Sequence, residues 1–265
     1  MVTRERIPYG PHPDQWGELF LPGSSGTDGD GPRAARGVVV VIHGGYWRDV
    51  WTAELGVPAA LDLAEHGYAA WNLEYRRAGS GGTAGDGGWP ATFRDVAMGI
   101  DHLANLEGID SARVALLGHS AGGHLAVWAA GRAAHAARTG GEPPAVVPSG
   151  VVSQAGVLDL SAAHRLRLSD DAAANLMGGP ESEHPEEYAL ADPMRRLPTR
   201  VPVLAVHSRA DEAVPFGLSE AYVEAARAAG DPAELHETTG DHFALITPGQ
   251  EAYETCRTLI ARLLP

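Results

Sequence analysis

A serine held between two glycines, Gly118-His119-Ser120-Ala121-Gly122, is the pattern in this chain best suited to covalent chemistry. Glycines two before and two after a serine are what a tight strand-to-helix turn requires, because a side chain at either position collides with neighbouring backbone. The apolar run 114–117 before the serine and the Ala-rich stretch after it supply the strand and the helix. Such a turn exposes Oγ from a strained backbone position. A hydroxyl is a poor nucleophile near neutral pH, so Ser120 needs a base to take its proton and a third group to hold that base. His242, in Gly240-Asp241-His242-Phe243 after a late strand-like segment, stands where the base belongs. Asp211, four residues beyond His207 and just past another apolar run, stands where the acid belongs. Glu212 competes for that role. Asp241 is set aside because neighbouring loop residues seldom face each other.

A tetrahedral intermediate develops negative charge, which preorganised backbone N–H groups must meet. The Ala121 N–H follows the nucleophile directly. Gly44 and Gly45, in His43-Gly44-Gly45-Tyr46-Trp47, follow another apolar run and are the other expected donors, with a plain β-turn as the simpler alternative. Tyr46, Trp47, His119 and Phe243 are the expected substrate contacts, although core packing explains Trp47 equally well. His119 and His124 flank the nucleophile without metal-ligand spacing, so neither a metal nor a cofactor is expected. His12, His66, His102, His135, His164 and His184 fall on polar faces or loops, and His236 falls within a strand.

These residues need a scaffold that brings distant positions to one edge. Val- and Leu-rich runs at 38–43, 68–75, 113–118, 146–153, 203–207 and 233–238 alternate with amphipathic segments. That is the signature of a mostly parallel sheet with helices on both faces, an α/β fold. One helix is expected from Pro90, with Phe93, Val96, Ile100 and Leu103 on a face, and another after Pro215. Residues 16–21 read as an extra edge strand. The Gly-rich stretches 23–36 and 79–88 read as surface loops, and their glycines lack the strand, helix and Lys-Ser/Thr anchor of a nucleotide site. Segment 158–200, with four prolines and three weak helical patches, reads as a small cap or lid, or else as a long crossover. A site assembled from positions 43, 120, 211 and 242 implies a single domain over 1–265.

Composition narrows the partners. Against 20 Lys plus Arg stand 34 Asp plus Glu, a net charge of −14, which repels nucleic acid. The longest uninterrupted aliphatic run is 38–42, far short of the roughly 20 residues a membrane helix needs. The N-terminal residues lack a secretory apolar stretch, which reads as cytoplasmic. Cys256 shares a helical apolar face with Ala252, Leu259, Ile260 and Leu263, which suggests burial rather than reactivity.

With its motifs in this order, the chain resembles the α/β-hydrolase superfamily, and within it the hormone-sensitive-lipase-like esterases and, more closely, kynurenine formamidase (arylformamidase). The likeness rests on His43-Gly44-Gly45-Tyr46-Trp47, on Gly118-His119-Ser120-Ala121-Gly122-Gly123-His124-Leu125-Ala126, and on Tyr9-Gly10 with the strand-like 15–21. The resemblance implies a Ser-Asp-His mechanism without metal or cofactor, carried by Ser120, Asp211 and His242. It also implies hydrolysis of N-formylkynurenine, an aromatic formamide, in tryptophan catabolism. A short-chain carboxylesterase shares every one of these residues, and a ligand receptor on the same fold is the non-enzymatic alternative.

Overall fold

The computed structural model describes residues 1–23, 35–80 and 85–265. Of the two expected Gly-rich loops, residues 24–34 and 81–84 lie outside the described residues. Eight strands form one sheet: β1 (Thr3–Pro8), β2 (Trp16–Leu21), β3 (Val38–Ile42), β4 (Ala69–Leu73), β5 (Val114–His119), β6 (Gly150–Gln154), β7 (Val203–Ser208) and β8 (Ala233–Thr238). Their order is β1-β2-β4-β3-β5-β6-β7-β8. β1 and β2 are antiparallel to their neighbours, and every pairing from β4 through β8 is parallel. This is the α/β-hydrolase arrangement that the motifs imply.

The strand sequences explain the layering. β3 reads Val-Val-Val-Val-Ile, and all five residues are buried, as befits a parallel strand covered on both faces. Side chains alternate across the sheet, so Val38, Val40 and Ile42 enter one core and Val39 and Val41 the other. The first core is covered by α2 (Ala91–Asp101), α3 (Ala121–Ala130) and α8 (Phe216–Ala228), and the second by α1 (Val57–Glu65) and α9 (Glu251–Leu263). Cys256 lies fully buried in the second core, and burial pushes its thiol up to about 12. Short α4 (Arg132–Thr139) continues beyond α3. Between β6 and β7 run α5 (Leu160–Arg165), α6 (Leu168–Met177) and α7 (Pro185–Ala191); Ser169, Asp170 and Asp171 near the start of α6 have positive φ.

Two expectations need correcting. β2 matches its expected span but is not the edge, because β1 pairs outside it. β1 reads Thr-Arg-Glu-Arg-Ile-Pro and is almost wholly exposed, so it has no apolar pattern to announce it. It is held by the ladder, by Arg4 on Glu18 at 2.6 Å and by the Arg6 guanidinium 3.6 Å above the Trp16 ring. The strand expected at 146–153 begins only at Gly150. Pro148 has no N–H to give a ladder, and the Val146 N–H goes to the Asp101 side chain instead. Among the described residues, no helix is long and apolar enough to cross a membrane.

Candidate active site

The parallel strands deliver their C-terminal ends to one margin of the sheet, and the chemistry-bearing residues arrive there. Ser120 follows β5 with φ 55° and ψ −120°, a conformation costly for a residue with a side chain. Two features hold it. Its N–H donates to Gln154 O at 2.8 Å, and its carbonyl accepts from the Gly123 N–H at 2.9 Å. The flanking glycines are steric necessities: a Cβ on Gly118 would lie 2.3 Å from Gly122 O, and one on Gly122 would lie 2.0 Å from Ile42 O.

Asp211 and His242 meet although 31 residues separate them. His242 Nδ1 lies 2.6 Å from Asp211 Oδ2, and since a carboxylate only accepts, Nδ1 carries a proton, while Nε2 has no hydrogen-bond partner among the described residues. The carboxylate is fully buried and accepts at both oxygens. Oδ1 takes the Ala213 and Val214 N–H groups at 2.8 and 2.9 Å, while His207 Nε2 approaches Oδ2 at 3.3 Å. Burial alone would raise its pKa, but the hydrogen bonds from His207, His242 and Val214 outweigh it and hold Asp211 well below the usual carboxylate range. Glu212 is exposed, and the Asp241 carboxylate accepts from the Phe243 and Ala244 N–H groups of its own turn.

Sequence reasoning passed over His207, although it lies next to the end of a mostly apolar strand and is fully buried. Its Nε2 also lies 3.1 Å from Val214 O, an acceptor, so Nε2 bears a proton, while Nδ1 meets the Ser219 hydroxyl at 2.8 Å. The His207 Nε2–H therefore donates to the acid turn and fixes its shape.

The glycine loop after β3 faces the serine. A Cβ on Gly44 would lie 2.9 Å from both Ser120 Cβ and His119 O, so only glycine permits this approach. Gly45 has φ 110°, the left-handed region that favours glycine. No backbone acceptor among the described residues takes the N–H of Gly44 or Gly45. Ala121 opens α3, where the first N–H groups of a helix have no intrahelical acceptor. The loop is anchored from behind by Glu74, also passed over, whose side chain is 2 % exposed. Glu74 meets His43 Nε2 at 3.0 Å, Arg77 at 2.9 Å and the Ala53 N–H at 2.9 Å. The signal for Glu74 was a lone carboxylate ending an apolar run.

The four expected substrate contacts divide. Phe243 is 48 % exposed and stands edge-on to His242, with ring centroids 5.7 Å apart. Tyr46 is half-buried and donates its hydroxyl to Ala213 O, tying the glycine loop to the acid turn; burial and the Asp211 charge push its hydroxyl up to about 12. Trp47 does not face the cleft. It is 1 % exposed and packs edge-on to His124 at 5.1 Å, because its backbone turns the indole inward with φ 56°. Trp51, 41 % exposed, lies against Gly45 instead. His119 is likewise buried: its ring lies 4.4 Å from that of His242, and Nε2–H donates to His242 O at 3.0 Å. Burial and the neighbouring His242 push His119 down to about 3, so it is a neutral strut beneath the His242 ring. His124 points elsewhere, donating to Ala191 O at 3.0 Å.

The BD-FAE family profile matches residues 30–225, most of the chain, and the chain belongs to that family. It is 27 % identical over 237 residues to Esterase LipC of Mycobacterium tuberculosis, covering 86 % of this chain and 56 % of that protein. It is 28 % identical over 250 residues to the isoprenylcysteine alpha-carbonyl methylesterase ICME of Arabidopsis thaliana, covering 88 % and 54 %. The chain thus spans little more than half the length of these curated relatives. In fold it is similar to Esterase B from Lactobacillus rhamnosis, with a TM-score of 0.78 at 21 % identity, covering 99 % of this chain and 85 % of that one.

Proposed function

Starting from membership of the BD-FAE family, we propose that this protein is a serine hydrolase that cleaves small carboxylic esters through an acyl-enzyme. The observation that carries this reading is the buried Asp211–His242 pair at 2.6 Å, at the same sheet margin as a serine held at φ 55°. Ser120 Oγ attacks the ester carbonyl carbon while His242 Nε2 takes its proton. The N–H groups of Gly44, Gly45 and Ala121 stabilise the oxyanion. When the intermediate collapses, the imidazolium returns the proton to the departing alkoxide, and the alcohol leaves. Water then attacks the acyl-enzyme with the same base and releases the acid and Ser120. Every step draws on side chains and backbone of this chain.

The chain acts in this reading as one domain over 1–265, with 158–200 as a small cap beside the cleft and Phe243, Trp51 and Tyr46 at its mouth. The esterase relatives favour ester over formamide, while the His-Gly-Gly-Tyr-Trp run favours an aryl formamide. One experiment separates them: turnover of p-nitrophenyl acetate and butyrate beside N-formyl-L-kynurenine, with Ser120→Ala as the blank. Ester cleavage is the expected result, and Ser120→Ala lowers kcat by roughly 10⁴- to 10⁶-fold. Preferred cleavage of the formamide replaces the ester reading with the formamidase one. Turnover undiminished in Ser120→Ala overturns the mechanism.

A further inference from the structure

A second concavity lies away from the serine. It has a volume of about 500 Å³, within the range of small-molecule sites, and is lined by Trp89, Trp128, Arg132, Arg196 and the loop after α4. Trp128 is eight residues beyond Ser120 along α3, about 12 Å at 1.5 Å per residue, so this groove is not part of the catalytic cleft.

Arg196 is the anomaly. It is only 6 % exposed, yet among the described residues no carboxylate pairs with it. Its Nη1 donates to Leu190 O at 3.2 Å at the end of α7, and its buried Nε has no hydrogen-bond partner. The charges that act on it, Arg138 and Arg132, are of its own sign, although Asp101, His135 and Glu142 also line the groove. Arg138 donates to Arg196 O at 3.0 Å, and Arg132 lines the same groove, paired there with Asp101. Glu142 is the groove's other acid, on the loop after α4. Burial and these two arginines push the Arg196 guanidinium down to about 10, the mark of a cation short of negative charge. Leaving a buried charge unpaired is expensive, and a chain of net charge −14 has no shortage of carboxylates to spend here.

The walls add shape. Trp89 and Trp128 both pack edge-on to Phe93, with centroids 4.8 and 4.9 Å away, so their rings are fixed. The Trp128 indole donates to Leu190 O at 3.0 Å, and the Arg196 guanidinium stands 5.2 Å over its ring. Flat indole surface beside an under-neutralised planar cation suits a flat anion whose charge is a carboxylate, which a guanidinium meets with two parallel hydrogen bonds. We propose that the groove between Trp89, Trp128 and Arg196 is a ligand site for a small aromatic carboxylate, separate from the catalytic cleft.

Calorimetric titration of the full chain with benzoate tests this, with benzyl alcohol and inorganic phosphate as probes lacking the charge and the ring. The titration is repeated after the catalytic serine has been sulfonylated with phenylmethylsulfonyl fluoride. The expected result is saturable benzoate binding, unchanged by sulfonylation, at least tenfold tighter than either control and weakened at least tenfold by Arg196→Met. Benzoate also raises the Tm of the unmodified protein, because a ligand that binds only the folded state stabilises it. This readout keeps the test decisive if Arg196→Met fails to fold. Absence of both heat and Tm shift at 20 mM benzoate overturns the proposal. So does binding that benzyl alcohol or phosphate matches, that Arg196→Met leaves intact, or that sulfonylation abolishes.

Discussion

After β3 and β4, His43 and Glu74 meet at 3.0 Å; after β7 and β8, His242 and Asp211 meet at 2.6 Å. The chemistry of the two pairs is the same, and both lie at the C-terminal margin of the sheet. Their surroundings differ. His43 has a partner at each ring nitrogen, Gly44 O and Glu74, and Tyr75 stacks on it at 4.4 Å. Glu74 is further occupied by Arg77 and by the backbone N–H groups of Ala53 and Tyr75. The His242 ring has a hydrogen-bond partner only at Nδ1 among the described residues, and the residue reaches the surface at 8 % exposure. A carboxylate–imidazole pair closed at every donor and acceptor is a rivet. The same pair with one nitrogen free is placed to act as a base.

That contrast is breakable. The largest effect is expected for Asp211→Asn, whose amide disfavours the Nδ1–H tautomer of His242 and lowers kcat by about 10⁴, near 5.5 kcal/mol, with the fold retained by circular dichroism. Glu74→Gln breaks the buried pair behind the glycine loop, so its main cost is stability, about 3–5 kcal/mol in urea unfolding. Its loss of kcat is expected to be smaller than that of Asp211→Asn; the reverse ranking dissolves the distinction between rivet and base.

A third expectation concerns pH. Burial depresses His124 to about 4 and His119 to about 3 from an ordinary value near 6.5. Below pH 6.5 the unfolded chain binds protons that the folded chain refuses, so stability falls as pH drops, by up to about 1.4 kcal/mol per pH unit for each histidine. Urea midpoints from pH 7 to pH 4.5 measure this slope. His124→Phe, which keeps a ring among Trp47 and Phe93, is expected to make it shallower, and an unchanged slope removes His124 as a cause. The smallest effect is expected for His207→Gln. Losing one donor to the acid turn lowers kcat by roughly tenfold, the net worth of a single hydrogen bond, with KM unaltered. A change confined to KM refutes a positioning role.

The parallel core was legible because β3, β5 and β7 carry apolar runs, and every residue of β3 through β7 is buried, as only a sheet covered on both faces allows. The elbow was legible because its glycines are required by contacts closer than any side chain allows. β1 was not, since an edge strand stabilised by ladder bonds and cation–ring contacts carries no periodicity. His207 and Glu74 were hidden for a related reason: each sits inside a run read for its apolar neighbours, and its polar partner comes from another segment. Of the two readings open for Trp47, substrate contact and core packing, the structure shows core packing, because sequence adjacency to the glycine loop says nothing about which side a positive-φ turn sends a side chain. Arg196 gave no sign in a segment read only for its prolines.

The charged outer strand that escaped pattern reading has a consequence of its own. A sheet margin is a row of unpaired N–H and C=O groups that invites another chain to add a strand. Here one margin carries Arg4, Glu5 and Arg6 on β1, and the opposite margin carries Glu234, His236 and Glu237 on β8, with Arg262 and Arg209 clasped across Glu234 and Glu237. A strand from a second molecule would have to desolvate these charges to dock. The same residues that hide β1 from hydrophobic periodicity thus act as gatekeepers against aggregation, and replacing Arg4 and Arg6 with valine would turn a solubilising border into an adhesive one.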